Sequence, residues 1–408
     1  MKRLALTTVV FALALPAAGA LAGSRASDGA PVIHWNQALL SIVTTPGAQP
    51  ANIQPTRSFA ILHAAIYDAV NAIDRSHEPY LISVRAPRGA SETAAADAAA
   101  HTALVGLYPA QQGALDAAYA TELATVPDGP AKDQGVRVGE AVAHDLLAIR
   151  AGDGSNVPPP PFVPGTNPGD YQPTPPNFPT PVFTTWGQVT PFVLDSAGQF
   201  RPAPPPALTS PEWTAALAEV QSLGSATSTT RTADQTEIGK FWTPPIQNFW
   251  NQIAESVASA HHSDLPTTAR LFASLDLSLA DGTIAFYDAK YTYRFWRPVT
   301  AIRLVDPTWL PLAGNTPPDP SYPGAHSTLS AAAAAVLASF YGDKQRFSVT
   351  SPALPGVTRS FTSFSGAVDE AGLSRIYAGV HTRLDHEAGL KLGTAVARFV
   401  LQNALSRK

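Results

Sequence analysis

The sequence predicts an all-α fold: packed helical bundles in two helical halves, separated by a proline-rich ordered loop region. Three observations lead there. Apolar residues recur at helical spacing, as in residues 57–75, where Phe59, Leu62, Ile66, Val70 and Ile73 share one face. Long stretches are rich in alanine, with only 14% charged residues in the chain, which suits close helix packing rather than disorder. Strand-type alternation is scarce, so the architecture is one of helix on helix.

Residues 1–22 read as a secretory signal, since Lys2 and Arg3 precede an apolar run from Leu4 to Leu15 and Ala20-Leu21-Ala22 offers a small-x-small cleavage site. The run is short and broken by Pro16 and Gly19, which favours cleavage over a retained anchor, and no later segment is apolar for long enough to span a bilayer. The expected product is an exported protein, periplasmic or secreted. The N-terminal helical part covers residues 23–154, with helices over 57–75, 91–124 and 130–150. In residues 155–211 the prolines cannot sustain a helix, yet Phe162, Tyr171, Phe178, Phe183, Trp186 and Phe192 lie there. The expectation is an ordered loop whose aromatics pack on the helices. The C-terminal helical part, 212–408, is expected to hold helices at 212–222, 231–242, 246–262, 266–296, 325–341, 361–376 and 383–405, the two parts forming one globular unit.

A formal charge of −4 and the lack of a basic stripe argue against nucleic acid as a partner. The chain has no cysteine, so disulfides, thiolate chemistry and Cys-ligated metals are excluded.

Chemistry concentrates in three elements. In DAKYTYRFWRP (288–298), Lys290 and Arg297 are seven residues apart, nearly two helical turns, so both cations are expected on one helix face before Pro298 stops it. Taken alone, with Arg294 between them, this reads more readily as a solvated basic face. In 320–342, tight Pro and Gly residues lead into an alanine-rich helix, placing the amides of Gly324, Ala325 and His326 at a helix start, where unpaired donors bind anions. In 374–389, Arg375 is followed by His381 and Asp385, and Gly379 lets the chain bend between the first two. Asp385 can accept the Nδ1 proton of His381 and leave Nε2 free. Thr382-x-x-Asp385 also has the form of a helix capping box, and both readings hold only if the carboxylate faces the histidine. Together Lys290, Arg297, His326, Arg375 and His381 read as one pocket for a tetrahedral oxyanion such as phosphate.

The order Lys-x6-Arg-Pro, Pro-x-x-His, Ser-Arg-x5-His-x3-Asp resembles the signature of the vanadium-dependent haloperoxidase and type 2 phosphatidic acid phosphatase superfamily, in its soluble exported bacterial branch. LHAAIYDAVNAI, DAKYTYRFWRPVTAIR and YPGAHS extend the likeness loosely over most of the chain. The resemblance implies a haloperoxidase-like fold. It implies that Lys290, Arg297 and Arg375 bind the equatorial oxygens, with amides from Gly324 and Ala325. It makes His381 the metal ligand of vanadate or the nucleophile toward phosphorus, His326 the acid/base partner, and Asp385 the group that orients His381. The family's usual Pro-Ser-Gly-His is here Pro323-Gly324-Ala325-His326. One hydroxyl donor is therefore missing, for which Ser321 or Ser327 are the nearby replacements.

By the same resemblance two reactions share these residues. A haloperoxidase would use orthovanadate to oxidise halide with hydrogen peroxide to hypohalous acid, halogenating organic substrates, with Lys290 polarising the bound oxidant. An acid phosphatase would hydrolyse a phosphomonoester through a phosphohistidine at His381. The long N-terminal helical part, the absence of a later membrane span, and the lack of cysteine with a single methionine favour the haloperoxidase. A non-catalytic oxyanion-binding protein is the third reading.

Elsewhere, His261, His262 and Asp264 read as a solvated helix end rather than a metal cluster. Asp385 and His386 beside His381 lack an evident facing geometry for a divalent metal. His63 reads as a packed core histidine. Phe295 and Trp296 read equally as pocket wall or core.

Overall fold

The computed structural model describes residues 29–408; the secretory-signal reading of residues 1–22 lies outside them. The N-terminal half holds α1 (Ala30–Thr44), α2 (Pro55–Asp74), α3 (Glu92–Leu107), α4 (Gln112–Leu123) and α5 (Pro130–Arg150). The C-terminal half holds α6 (Pro211–Leu223), α7 (Ala233–Phe241), α8 (Ile246–Ala260), α9 (Leu265–Tyr293), α10 (Pro298–Ile302), α11 (Ala325–Tyr341), α12 (Phe364–Tyr377) and α13 (Arg383–Asn403). The helices follow their local chemistry. Ser91, Ser210, Thr232, Asp264, Ser363 and Thr382 each cap a helix through the side chain, and proline opens α2, α5, α6 and α10 at the position where its missing N–H costs nothing. The fold is all-α apart from a short antiparallel pair, β1 (Phe347–Thr350) and β2 (Thr358–Phe361), with Phe347 opposite Phe361.

The element that organises the rest is α9, which has 29 residues, most of them buried. It packs against α2 of the N-terminal half and against α11 and α13 of the C-terminal half, and one continuous apolar cluster runs from Val32 to Leu405 around it. Where α11 meets α13 the backbones nearly touch. A Cβ on Gly393 would fall 1.9 Å from the Thr328 carbonyl oxygen, and one on Gly389 would fall 2.5 Å from that of Gly324. Only glycine permits this approach, and it brings the N-terminal ends of both helices to one place.

Polar side chains tie the loops to α9. Asp281, fully buried, accepts from the backbone amides of Phe192 (2.6 Å), Val193 (2.8 Å) and Leu194 (2.9 Å). Asp68 on α2 does the same for Tyr80, Leu81 and Ile82. His63 pairs with Asp276 of α9 at 2.6 Å, so this buried histidine joins the two halves. The proline-rich region is held through its aromatics: Tyr171, Trp186 and Phe192 are buried, Phe183 packs on Trp186 and Tyr287, and Phe162 lies against Tyr171 beneath the Arg294 guanidinium. Phe178 departs from that pattern. It is 63% exposed, with a left-handed backbone (φ 46°) that turns its side chain off the helices.

Two expectations are corrected. The helix expected over 266–296 stops at Tyr293, because Arg294 takes the left-handed conformation (φ 47°) and donates its N–H to the Lys290 carbonyl. The chain then runs extended, Trp296 N–H donating to the Gly169 carbonyl and Tyr171 N–H to that of Arg294. Arg297 is thus not on the helix face of Lys290; it caps the next helix, α10.

The Asp281 clamp makes a prediction. Asp281→Ala leaves three amides, two of them buried, without an acceptor. It should cost about 3 kcal/mol or more in chemical denaturation and expose the 155–211 region to limited proteolysis while the helical circular dichroism persists.

Candidate active site

The residues singled out in the sequence converge from four segments at one end of the bundle. Lys290, from the last turn of α9, is fully buried. Its ammonium donates to the carbonyls of Pro320 and Ser321 and lies 3.5 Å from a carboxylate oxygen of Asp319. Burial pushes its pKa down to about 8, with the Asp319 carboxylate opposing. Arg297, from the extended link after α9, also reaches Asp319: its Nε donates to the Asp319 carbonyl (2.7 Å) and its Nη2 to the Asp319 carboxylate. Its Nη1 donates to the Val380 carbonyl (2.8 Å) and to His381 Nε2 (3.1 Å). It is therefore Asp319, together with the extended turn, that sets these two cations side by side.

Asp319 was not among the residues singled out. Burial alone would raise its carboxyl, but Lys290 and Arg297 hold it below the ordinary carboxylate range. Its only signal in the sequence is a lone acid in the run PPDPSYPGAH, seven residues before His326.

Arg375, in the last turn of α12, is 6% exposed, and neither its Nε nor its Nη1 has a hydrogen-bond partner. A desolvated guanidinium with unpaired N–H groups is costly unless an anion meets it. Burial, then the nearby Arg297, lowers its pKa to about 10. The chain leaves α12 through Gly379 at φ +80°, where a Cβ would meet the Gly224 carbonyl at 2.5 Å, and returns as His381. The His381 Nδ1 lies 3.2 Å from Asp385 Oδ2, and that oxygen also accepts from the Thr382 amide (2.7 Å) and the Ser321 hydroxyl (2.7 Å). The Thr382 hydroxyl in turn accepts from the Asp385 amide (3.2 Å). The capping box and the histidine contact thus coexist on one carboxylate. Because Asp385 can only accept, His381 carries its proton on Nδ1 and presents the Nε2 lone pair to Arg297 and the pocket. Burial, then Arg297, pushes the His381 pKa down to about 3.

His326 sits in the first turn of α11. Its Nε2 lies 2.9 Å from the Trp242 carbonyl, which can only accept, so the proton is on Nε2 and the free lone pair on Nδ1. Burial, then Arg375, holds its pKa well below the usual range. The amides of Ala325 and His326 occupy the first turn of α11, where no intrahelical acceptor exists. The Gly324 amide is committed elsewhere, donating to the Asp385 carbonyl at 2.8 Å. A Cβ on Gly324 would lie 3.1 Å from that same oxygen, so the contact between the starts of α11 and α13 leaves little room for the serine usual in this motif. Neither proposed replacement hydroxyl is free: Ser321 donates to Asp385, and Ser327 pairs with His386 Nδ1 at 2.8 Å.

The remaining candidates are taken up by contacts of their own. His261 pairs with Gln345 and stacks on Tyr341, while Asp264 caps α9. Phe295, Trp296, Trp213 and Tyr322 form an aromatic cluster with Ala388, with Trp296 stacked on Trp213 at 6.0 Å. Among the described residues no group of three or more His, Asp or Glu is arranged to hold a metal through protein ligands alone.

Stability should follow the neutral state of the two histidines. Unfolded histidine titrates near about 6.5, whereas folded His381 does so at about 3 and His326 also well below 6.5. Between those values the unfolded chain binds more protons, so stability is lost as pH falls from about 6.5 toward 3. The slope reaches about 1.4 kcal/mol per pH unit for each histidine. Denaturation midpoints measured across that window should flatten in His381→Gln.

With this geometry in place, the likenesses to known proteins fall in one group. A family described as the VCPO second helical-bundle domain matches residues 304–407, which hold His326, Arg375, His381 and Asp385. The vanadium chloroperoxidase of Curvularia inaequalis is 29% identical over 231 residues, 40% of this chain and 38% of that protein. The match thus spans well under half of the curated relative. A solved structure described as the first bacterial vanadium-dependent iodoperoxidase superposes with a TM-score of 0.79 at 26% identity, over 93% of this chain and 97% of that one. A bacterial vanadium-dependent chloroperoxidase in its holo form superposes at 0.69 with 15% identity, over 93% of this chain and 99% of that one, which speaks for the fold. Shared architecture across both halves, with the family match falling on the helices that carry the histidines, leads to one conclusion: the chain has the helical haloperoxidase fold, and its likenesses fit the vanadium-dependent haloperoxidase superfamily.

Proposed function

We propose that this protein is a vanadate-dependent haloperoxidase that uses hydrogen peroxide to oxidise a halide to hypohalous acid, which then halogenates small organic molecules. The observation that carries the reading is the pairing of two features in one pocket. His381 has its Nδ1 proton fixed on Asp385 and its Nε2 lone pair facing inward, and Arg375 holds buried N–H groups with no partner. The first suits a neutral imidazole ligand to a metal, and the second suits an oxyanion. The donor set therefore fits orthovanadate, with His381 Nε2 as its ligand, Arg375, Arg297 and Lys290 on its oxygens, and the first-turn amides of Ala325 and His326 as neutral donors.

When bound, vanadate supplies Lewis-acid activation of peroxide toward attack by halide without a change of oxidation state. The chain's own residues do the rest. Lys290, with its pKa lowered to about 8, remains a proton donor at neutral pH while resting on the Pro320 and Ser321 carbonyls. His326 keeps a free Nδ1 lone pair to take a proton from the entering oxidant, its Nε2–H being held by Trp242. Asp385, fixed by Ser321 and Thr382, keeps His381 from turning its proton inward. The likeness to the iodoperoxidase across the N-terminal half as well as the C-terminal half favours this reading over a phosphatase using His381 as nucleophile.

Purified protein assayed with peroxide and iodide, bromide or chloride should halogenate only when orthovanadate is added. His381→Ala should abolish this, and Asp385→Ala should weaken vanadate affinity about 10–100-fold. Aryl-phosphate hydrolysis that depends on His381, without vanadate-stimulated halogenation, would replace the proposal by the phosphatase. Inactivity in both assays would leave an oxyanion-binding protein.

A further inference from the structure

The pocket contains an anion of its own. Lys290 and Arg297, two of its three permanent cations, both contact the buried Asp319 carboxylate. Only Arg375 has buried donors left unpaired. A second carboxylate, Asp385, stands behind His381. Three cations therefore face two carboxylates, and the surplus is a single positive charge. A singly charged oxyanion that still carries a hydroxyl matches that surplus. A dianion overfills it, leaving one negative charge in a buried site with no cation to meet it.

We propose that Asp319 is a specificity-determining residue that sets the charge of the oxyanion this pocket takes, selecting a singly charged, protonated oxyanion over a fully deprotonated dianion. The inference rests on the oxyanion pocket proposed above, and holds for any tetrahedral oxyanion, whether or not the bound species is vanadate. The geometry supports an electrostatic role over mere packing: both carboxylate oxygens are committed to cations, one to Arg297 Nη2 and the other, at 3.5 Å, to Lys290. Its main-chain carbonyl separately anchors Arg297 Nε at 2.7 Å, a contact that survives any side-chain change.

The test compares two inorganic probes by titration calorimetry at pH 6: phosphate, there mostly a protonated monoanion, and sulfate, a dianion without a proton to donate. Wild type should bind phosphate more tightly than sulfate. Asp319→Asn keeps the shape and removes the charge, and should raise sulfate affinity about tenfold relative to phosphate. Asp319→Ser should move the ratio the same way, so either folded variant carries the test, and Asp319→Glu should leave it near wild type. A ratio unchanged in folded Asp319→Asn and Asp319→Ser would overturn the role of Asp319 while leaving the pocket standing. Failure of wild type to bind either anion, with Arg375→Ala indistinguishable from it, would overturn the pocket itself and this inference with it.

Discussion

Everything at the end of the bundle where Lys290, Arg297 and Arg375 gather depends on keeping three cationic side chains dry. A buried ammonium or guanidinium is costly unless its hydrogen bonds and charge are met, and only two of the three are met from within the protein. Lys290 rests on two main-chain carbonyls and the edge of Asp319, Arg297 is locked by Asp319 and Val380, and Arg375 is left with open donors. The surrounding bundle answers to that demand. The extended turn after α9 exists to carry Arg297 across to Asp319, and the glycine contacts between α11 and α13 bring His326 and His381 to the same end.

The same logic explains the pairing of carboxylates with histidines and loops. Asp385 accepts three hydrogen bonds through one oxygen, and Asp281 and Asp68 each gather three consecutive amides. In a core whose commonest residue is alanine, many contacts carry little shape to fix a loop by packing alone. Directional, charge-assisted hydrogen bonds supply the register instead.

How much of this was legible in the sequence follows from how local each feature is. Helices were readable where period, cap and proline lie within a few residues of one another, as at α2, α5, α8, α11 and α13. The convergence of Lys290, Arg297, Arg375, His326 and His381 was readable because motif order stands in for distance. The contacts that cross the chain were not. Asp319 pairs with residues 22 and 29 positions away, and nothing in a lone acid between prolines says so. Arg297 was expected on the helix face of Lys290, since a left-handed residue at Arg294 has no strong residue signature outside glycine and asparagine. Helix α1 and the hairpin of β1 and β2 were also missed; the strands are four residues each, too short for alternation to stand out. Ser321 looked like a replacement hydroxyl, and only the fold reveals Asp385 as its partner.

The length of α9 has a consequence for how such a chain can change over evolutionary time. One unbroken rod carries Asp276, which meets His63 of the N-terminal half, then Asp281, then Lys290 within the pocket. At about 1.5 Å per residue these lie on a common axis, so a drift in how α2 seats against the rod displaces the lysine without any substitution near it. The N-terminal half thus helps set where Lys290 stands, and remote replacements in α2 or in the Phe192–Leu194 segment held by Asp281 can shift that lysine even when every residue around it is held constant.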